Sequence, residues 1–177
     1  SSDLPDISDN AAVRYGHDAE PLIRKLFALD YADKYAVSYG GAFDMVRHPK
    51  HPFIFATLDG RLTEVKTGRK GILEIKTTSI LRSMQKEKWW KDGKPAIPDQ
   101  YYCQVLWQMI ASGFDFAVLH AQFRYEYGEE PRFERRTYTI EREDVADDLA
   151  YLEAAGVKFW TENVMGGREP DLILPEI

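Results

Sequence analysis

Two charged residues two positions apart, Glu74 and Lys76, have the types and spacing needed to hold a metal ion beside a phosphate. They alternate with Leu73 and Ile75, and this period of two predicts a strand with the charged side chains on one face and the apolar ones on the other. Hard divalent cations such as Mg²⁺ are bound by oxygen ligands, commonly carboxylates together with substrate phosphate oxygens. A neighbouring lysine can orient the attacking water and offset charge in the transition state.

A second carboxylate, Asp59, follows an apolar run that also has the character of a strand. Gly60 comes directly after it and permits a tight turn, so the chain can fold back and bring Asp59 beside Glu74. The two carboxylates and Lys76 would then converge at one edge of a sheet. The alternative from these residues alone is an exposed cross-strand ion pair, which contributes less than about 1 kcal/mol.

The length and composition predict one ordinary globular domain. The chain has 177 residues, enough for one domain with a sizeable core and too few for two. It contains neither a signal-peptide pattern nor an apolar run of membrane-spanning length, so we expect a cytoplasmic protein with no membrane partner. The single cysteine, Cys103, excludes an internal disulfide and any four-cysteine zinc or iron–sulfur site.

The net charge of −6 is distributed unevenly along the chain. Residues 61–94 carry a net charge of +6, whereas residues 1–60 carry −3 and residues 95–177 carry −9. The basic segment is the one that contains Glu74 and Lys76. Its lysines and arginines would surround the proposed metal site with phosphate-binding charge, which favours a nucleic-acid partner. The alternative is a solvated basic face with no partner.

Helices and strands must position these residues, and their periodicities alternate along the chain. Apolar residues recur every three or four positions from 15 to 31, which predicts an amphipathic helix. Pro21 suits a first helical turn, so the regular helix is expected to begin near Asp18. The other predicted elements are strands at 35–39, 43–47, 53–56, 61–65, 71–76, 115–124 and 132–140, and helices at 80–90, 99–111 and 141–163.

Three further groups of residues allow more than one interpretation. His48 and His51 could form a metal-ligand pair, but the prolines around them favour a surface turn. Trp89 and Trp90 lie among lysines and could stack on nucleic-acid bases, although one of them is expected to pack in the core. His120 alternates with core residues, which favours a packed histidine over a metal ligand.

The segment from Arg14 to Arg24 reads R-x-G-x-x-x-E-P-x-x-R and resembles the YqaJ-like viral recombinase family, which includes lambda-type exonucleases of the PD-(D/E)XK nuclease superfamily. The family's next marks are D-G, then G-x-x-E-x-K, then a glutamine on a helix. In this chain they are Asp59-Gly60, Gly71 to Lys76, and Gln104. The resemblance implies an α/β (α+β) fold with a restriction-endonuclease-like core, a central mixed sheet flanked by helices, in a single domain over residues 1–177.

The resemblance also implies a metal site. It makes Asp59 and Glu74 metal ligands, together with the main-chain carbonyl of Ile75, and places Glu20 at a second metal position. The expected cofactor is Mg²⁺ or Mn²⁺, in two ions that activate water and stabilise the leaving oxygen. Leu58 stands where the family favours proline, a departure that matters little because only the Asp59 carboxylate must reach the metal.

Catalytic and DNA-binding roles follow from the same resemblance. Lys76 would position the nucleophilic water, Gln104 would hold Lys76 or that water, and Glu20 would assist from the opening helix. The product would carry a 5′-phosphate and a 3′-hydroxyl. The DNA-binding candidates are the basic residues of the first motif and of the basic segment: Arg14, Arg24, Arg69, Lys70, Arg82, Lys86 and Lys88.

Lambda-type members of the family degrade one strand of a duplex from its 5′ end, assemble as rings and work with a protein that anneals the exposed strand. The resemblance therefore implies a DNA exonuclease of phage-type recombination that acts on duplex ends, forms a homo-oligomeric ring and has an annealing partner. Three alternatives stay open. They are a structure-specific endonuclease or repair nuclease of the same superfamily, a non-catalytic DNA-binding module on the same scaffold, and a small α/β protein with no nucleic-acid role.

Overall fold

A five-stranded sheet lies at the centre of the computed structural model, which describes residues 11–80, 88–126 and 128–165. The helices are α1 (Ala11–Asp30), α2 (Asp99–Ser112) and α3 (Ala146–Phe159). The strands are β1 (Tyr35–Ser38), β2 (Met45–Arg47), β3 (Phe55–Thr57), β4 (Gly60–Glu64), β5 (Lys70–Ile80), β6 (Trp90–Lys91), β7 (Lys94–Pro95), β8 (Phe116–Tyr125) and β9 (Arg132–Glu141). A 3₁₀ turn (Arg142–Val145) precedes α3, and a π-helical turn (Trp160–Val164) follows it.

The central sheet is mixed, as predicted, and its strand order is β1-β4-β5-β8-β9. Strand β5 pairs with β8 in parallel from Gly71 opposite Phe116 to Ile80 opposite Tyr125, and the other neighbouring pairs are antiparallel. The parallel pair needs a long crossover connection, and α2 lies in it. Strands β2 and β3 form a separate hairpin, and so do β6 and β7.

Helices cover both faces of the sheet and divide the core in two. On one face α1 contributes Ile23 and Phe27, which pack with Leu73 and Ile75 of β5. On the other face α2 contributes buried side chains that pack with Ile72 and with β8; these are Val105, Leu106 and Met109. Because side chains alternate along a strand, Glu74 and Lys76 point to the α2 face, as the apolar-charged alternation predicts.

The first helix forms where predicted, but the prediction that it begins near Asp18 is wrong. Helix α1 begins at Ala11, and Pro21 lies inside it. Proline lacks the N–H that would bond to the carbonyl four residues earlier, at His17. Both residues are exposed, so water can satisfy that carbonyl, while burial of Ile23 and Phe27 stabilises the continuous helix.

The helix predicted at 80–90 is wrong at both ends. Residues 77–80 belong to β5, because the pairing with β8 continues to Ile80. Trp90, its predicted last residue, is in the β6–β7 hairpin. Residues 81–87 lie outside the described part of the chain.

The remaining elements agree with the predicted ones within a few residues. Helix α2 ends at Gly113, which has φ +70°, the left-handed conformation expected of a glycine cap. His120 is 2% exposed and lies edge-on to Phe27, so it is a packed core histidine, as predicted. Among the described helices, none combines the length and the apolar character that a bilayer crossing requires.

Gly71, the glycine of the G-x-x-E-x-K segment, is required by packing. A Cβ at this position would lie 2.3 Å from the ring of Phe116, which is 1% exposed and stacks on Tyr35. We expect Gly71→Ala to destabilise the fold by about 1–3 kcal/mol, measured by thermal melting. Phe116→Leu shortens the obstructing side chain, so Gly71→Ala should cost less in that background. Strictly additive effects of the two substitutions would contradict this explanation.

Candidate active site

The site is built where strand β4 begins beside β5. The antiparallel pairing of these strands ends at Gly60 opposite Leu73, so Asp59 lies just beyond the ladder. Its Oδ2 accepts a hydrogen bond from the Ile75 backbone N–H at 2.9 Å. The Asp59 carboxylate therefore bonds to the β5 backbone at a position where a further residue of β4 would otherwise pair.

The predicted juxtaposition of Asp59 and Glu74 is present, but the predicted turn at Gly60 is wrong. Gly60 is the first residue of β4, and β3 pairs with β2 instead of folding back at this point. Asp59 reaches Glu74 because β4 pairs with β5.

The carboxyl groups of Asp59 and Glu74 are close enough for the charge of one to act on the other. Glu74 is 3% exposed. Burial, followed by the charges of Glu74 and then Glu20, raises the pKa of Asp59 to about 8, although the Ile75 N–H acts in the opposite direction. Without a cation, the Asp59 carboxyl is therefore protonated near neutral pH. A cation can replace that proton.

Two glutamines of α2 hold the Glu74 carboxylate, one at each oxygen. Gln104 Nε2 donates to Oε1 at 3.1 Å, and Gln108 Nε2 donates to Oε2 at 2.8 Å. They are four residues apart and so share one helix face. Gln104 was predicted to take part in the site, whereas no role was predicted for Gln108. The spacing of the two glutamines was the available signal.

Lys76 completes the group on the same face of β5. Its Nζ lies 3.2 Å from Glu74 Oε1 and donates to Gln104 Oε1 at 2.8 Å. It also lies 4.6 Å from the centroid of the Tyr101 ring. A lysine ammonium has three N–H donors, so Lys76 can bind a further acceptor while Gln104 and Glu74 fix its position.

Helix α1 brings Glu20 and Arg24 to the opposite side of Asp59. Arg24 NH1 donates to Glu20 Oε1 and to the Asp59 carbonyl, both at 2.9 Å. Its guanidinium carbon lies 3.4 Å from the centroid of the Tyr39 ring. Arg24 is 9% exposed, so these contacts make it a link between α1 and the Asp59 segment. Tyr39 has no role in the sequence analysis, since only the folded loop brings it to Arg24.

The DNA-binding candidates do not all lie near the carboxylates. Arg69 pairs with Glu141, and Lys70 Nζ donates to Thr63 Oγ1, both at the turn end of the β4–β5 hairpin. Lys70 is four residues from Glu74 along β5, which is about 13 Å. Arg14 and Lys88 are exposed. Two further candidates, Arg82 and Lys86, lie outside the described residues.

The donor atoms of the site suit a hard divalent cation. Asp59 and Glu74 supply carboxylate oxygens. The backbone edge of Ile75 faces Asp59 because β4 does not extend this far along β5. In a strand the C=O of a residue points to the same side as its N–H, so the Ile75 carbonyl is on this edge as well. All of these donors are oxygens, which Mg²⁺ and Mn²⁺ prefer. Glu20 is held by Arg24 and would have to turn to join them.

A compact group of potential metal ligands lies outside this site. Among the described residues it consists of His48, His51 and Glu153, whose ligand atoms lie within 4.8 Å of one another. His48 Nδ1 accepts hydrogen bonds from two backbone N–H groups, those of Lys50 and His51. This assigns the ring proton to Nε2, which donates to Glu153 Oε1 at 2.8 Å. In this tautomer both ring nitrogens of His48 are engaged, so neither offers a lone pair to a metal. The bond from His48 to Glu153 instead links the predicted surface turn to α3.

An enclosed aspartate–glutamate pair followed by a lysine, at the edge of a mixed sheet with helices on both faces, is the PD-(D/E)XK arrangement. The YqaJ-like viral recombinase domain matches residues 2–115, so the chain belongs to this family. The uncharacterized protein YqaJ of Bacillus subtilis (strain 168) is 29% identical over 170 residues. That alignment covers 93% of this chain and 45% of the relative, so the chain spans about half of the relative's length.

Two solved structures have a similar backbone arrangement. One is the crystal structure of an alkaline exonuclease, LHK-Exo, from Laribacter hongkongensis, with 18% sequence identity and a TM-score of 0.48. The match covers 84% of this chain and 76% of that one. The other is LHK-Exo in complex with dAMP, with 20% identity and a TM-score of 0.48, covering 84% of this chain and 75% of that one.

The raised pKa of Asp59 predicts how stability depends on pH without metal. Unfolded Asp59 titrates near 3.8 and folded Asp59 near about 8, so the folded state binds the extra proton between these values. The free energy of unfolding should therefore fall as pH rises through this range. Asp59→Asn removes the charge, so in EDTA its melting temperature should exceed that of wild type increasingly towards pH 8, by about 2–4 °C per kcal/mol.

Asp33→Asn, at an exposed position, is the matched control and should follow wild type at every pH. Mn²⁺ at pH 8 should raise the melting temperature of wild type and of Asp33→Asn but leave Asp59→Asn unchanged. Equal pH profiles for wild type and Asp59→Asn would refute a raised pKa of Asp59 in the folded chain.

Proposed function

We propose that the chain is a divalent-cation-dependent deoxyribonuclease, an exonuclease that degrades DNA from duplex ends in the 5′-to-3′ direction. The observation that carries this proposal is the enclosed Asp59–Glu74 pair with Lys76 held beside it. Burying two neighbouring acidic groups is unfavourable unless they bind something positive. The polarity and the setting in phage-type recombination rest on family membership.

The chain's own groups have defined tasks in this mechanism. Bound Mg²⁺ or Mn²⁺ would supply Lewis-acid activation of water and neutralise phosphate charge. Asp59, Glu74 and the Ile75 carbonyl would hold one ion, and Glu20, now paired with Arg24, would serve a second. Lys76 donates a hydrogen bond to the attacking water, positioned for in-line attack that leaves a 5′-phosphate and a 3′-hydroxyl.

A cationic and aromatic surface adjoins Lys76 and suits a DNA strand. Tyr101, which contacts Lys76, lies 5.6 Å from Trp89, which is 2% exposed. Trp90 is 37% exposed and lines a cleft of about 410 Å³ together with Lys88 and Lys91. This division, one tryptophan in the core and one at the surface, matches the sequence expectation. We assign the outer one to base stacking beside phosphate-binding lysines.

Self-assembly is part of the proposal. Helix α1 exposes an apolar stripe at helical spacing, Leu22 (62%), Leu26 (46%) and Leu29 (74%), which supports a homo-oligomer, and family resemblance favours a ring with a single-strand annealing protein as partner. We expect Leu26→Glu to lower the molar mass measured by light scattering at a fixed concentration. Unchanged mass would remove this face from the interface.

The decisive experiment digests end-labelled linear duplexes, with and without a 5′-phosphate, in Mg²⁺ or EDTA. Wild type should release mononucleotides from linear DNA only with the cation. Lys76→Ala should reduce the rate by about 10²-fold or more, because the water loses its positioning donor. Lys158→Ala, at an exposed position of α3, is the matched control and should retain the rate. Melting curves of all variants verify that the fold is intact.

Each other outcome favours a different function. Cleavage of covalently closed DNA would favour a structure-specific endonuclease. Salt-sensitive DNA binding without cation-dependent cleavage would favour a non-catalytic module. A Lys76→Ala variant with near-normal turnover would remove Lys76 from the mechanism.

A further inference from the structure

Gln108 is a buried polar residue that donates hydrogen bonds to two segments outside its own helix. It is 2% exposed, yet its neighbours on α2 are apolar core residues. Its Nε2 donates to Glu74 Oε2 at 2.8 Å and to the Thr57 carbonyl at 3.2 Å. Both partners are acceptors, so the amide orientation is determined by chemistry and cannot be reversed without losing both bonds.

The other end of the same amide is unsatisfied. Gln108 Oε1 is buried and accepts no hydrogen bond from any described residue. A buried acceptor without a donor is unfavourable, so packing alone would favour an apolar side chain here. The two donated bonds are what the glutamine contributes.

Those two bonds join the two segments that carry the carboxylates. Thr57 is the last residue of β3 and precedes Asp59 by two positions, whereas Glu74 lies in β5. Strands β3 and β5 belong to different sheets, so no backbone ladder connects them. Gln108 therefore ties the chain that leads into Asp59 to the Glu74 carboxylate.

We infer that Gln108 is a positioning residue that sets the cation affinity of the Asp59–Glu74 site. Gln104 and Gln108 hold different oxygens of Glu74, so together they define the plane of its carboxylate and the oxygen edge presented to the cation. Groups that orient a metal ligand through hydrogen bonds typically change metal affinity by about 10–100-fold when removed. This inference rests on the proposed function and assigns a role in it to a residue outside the D…E-x-K pattern.

The test is calorimetric titration of the whole chain with Mn²⁺, without DNA. Gln108→Met keeps the length of the side chain and removes both donors, so its Kd should rise about 10-fold or more. Gln100→Met makes the same change at an exposed position of α2 and should keep the wild-type Kd. A positioning role also predicts that saturating Mn²⁺ restores the nuclease rate of Gln108→Met, since Lys76 is intact.

The outcomes separate this inference from the proposed function. If the wild-type chain binds Mn²⁺ and Gln108→Met binds it equally well, the role of Gln108 alone is overturned. Wild-type chain that binds no Mn²⁺ would overturn the metal site itself, and this inference with it. A merely structural role predicts a lower melting temperature with an unchanged Kd, which also counts against the inference.

A second measurement uses wild-type protein, in case Gln108→Met does not fold. In ¹⁵N-labelled chain the Gln108 side-chain NH₂ should exchange slowly with solvent and should shift when Mg²⁺ is added. The exposed Gln100 side chain is the internal reference and should do neither. A Gln108 NH₂ resonance that ignores saturating Mg²⁺ would overturn the inference.

Discussion

The structure depends on one electrostatic constraint, the close approach of two carboxyl groups, of which Glu74 is buried and Asp59 half-buried. Two negative charges are unfavourable in this setting, and burial followed by the charge of Glu74 raises the pKa of Asp59 to about 8. Around this pair the surrounding groups are hydrogen-bond donors. The Ile75 N–H, the two glutamine amides of α2 and the Lys76 ammonium all point at the acidic oxygens.

The fold leaves room for Asp59 beside β5 because β4 covers only part of the length of β5. Because β4 starts at Gly60, the edge of β5 beyond Leu73 has no strand partner on that side and is free to face Asp59. Helix α2 covers the same face of β5 and brings its glutamines down onto Glu74. Helix α1 covers the opposite face, and its Arg24 reaches the Asp59 carbonyl from there. Three elements from distant parts of the chain thus meet at one sheet edge.

Much of the candidate site could be predicted from local sequence patterns. The alternation around Glu74 and Lys76 determines which face each side chain takes once a strand forms. The tight turn expected at Gly60 does not form, because Gly60 is the first residue of β4 and pairs with Leu73. The spacing within the first motif placed Glu20 on a helix. Glu20 is nevertheless held by Arg24 rather than closed into one compact ligand group with the other carboxylates.

The failures of prediction have a common physical cause. Pro21 suits a first helical turn by local rules, yet α1, stabilised by burial of Ile23 and Phe27 against the sheet, begins at Ala11, seven residues before the predicted start at Asp18. Residues 77–79 have the character of a helix cap, yet pairing with β8 makes them strand. Local chemistry alone thus determined the residue types and faces of the site. Only the tertiary structure decided that Gln108 joins the donors around Glu74, because a hydrogen bond between residues 34 positions apart leaves no periodic trace in the sequence.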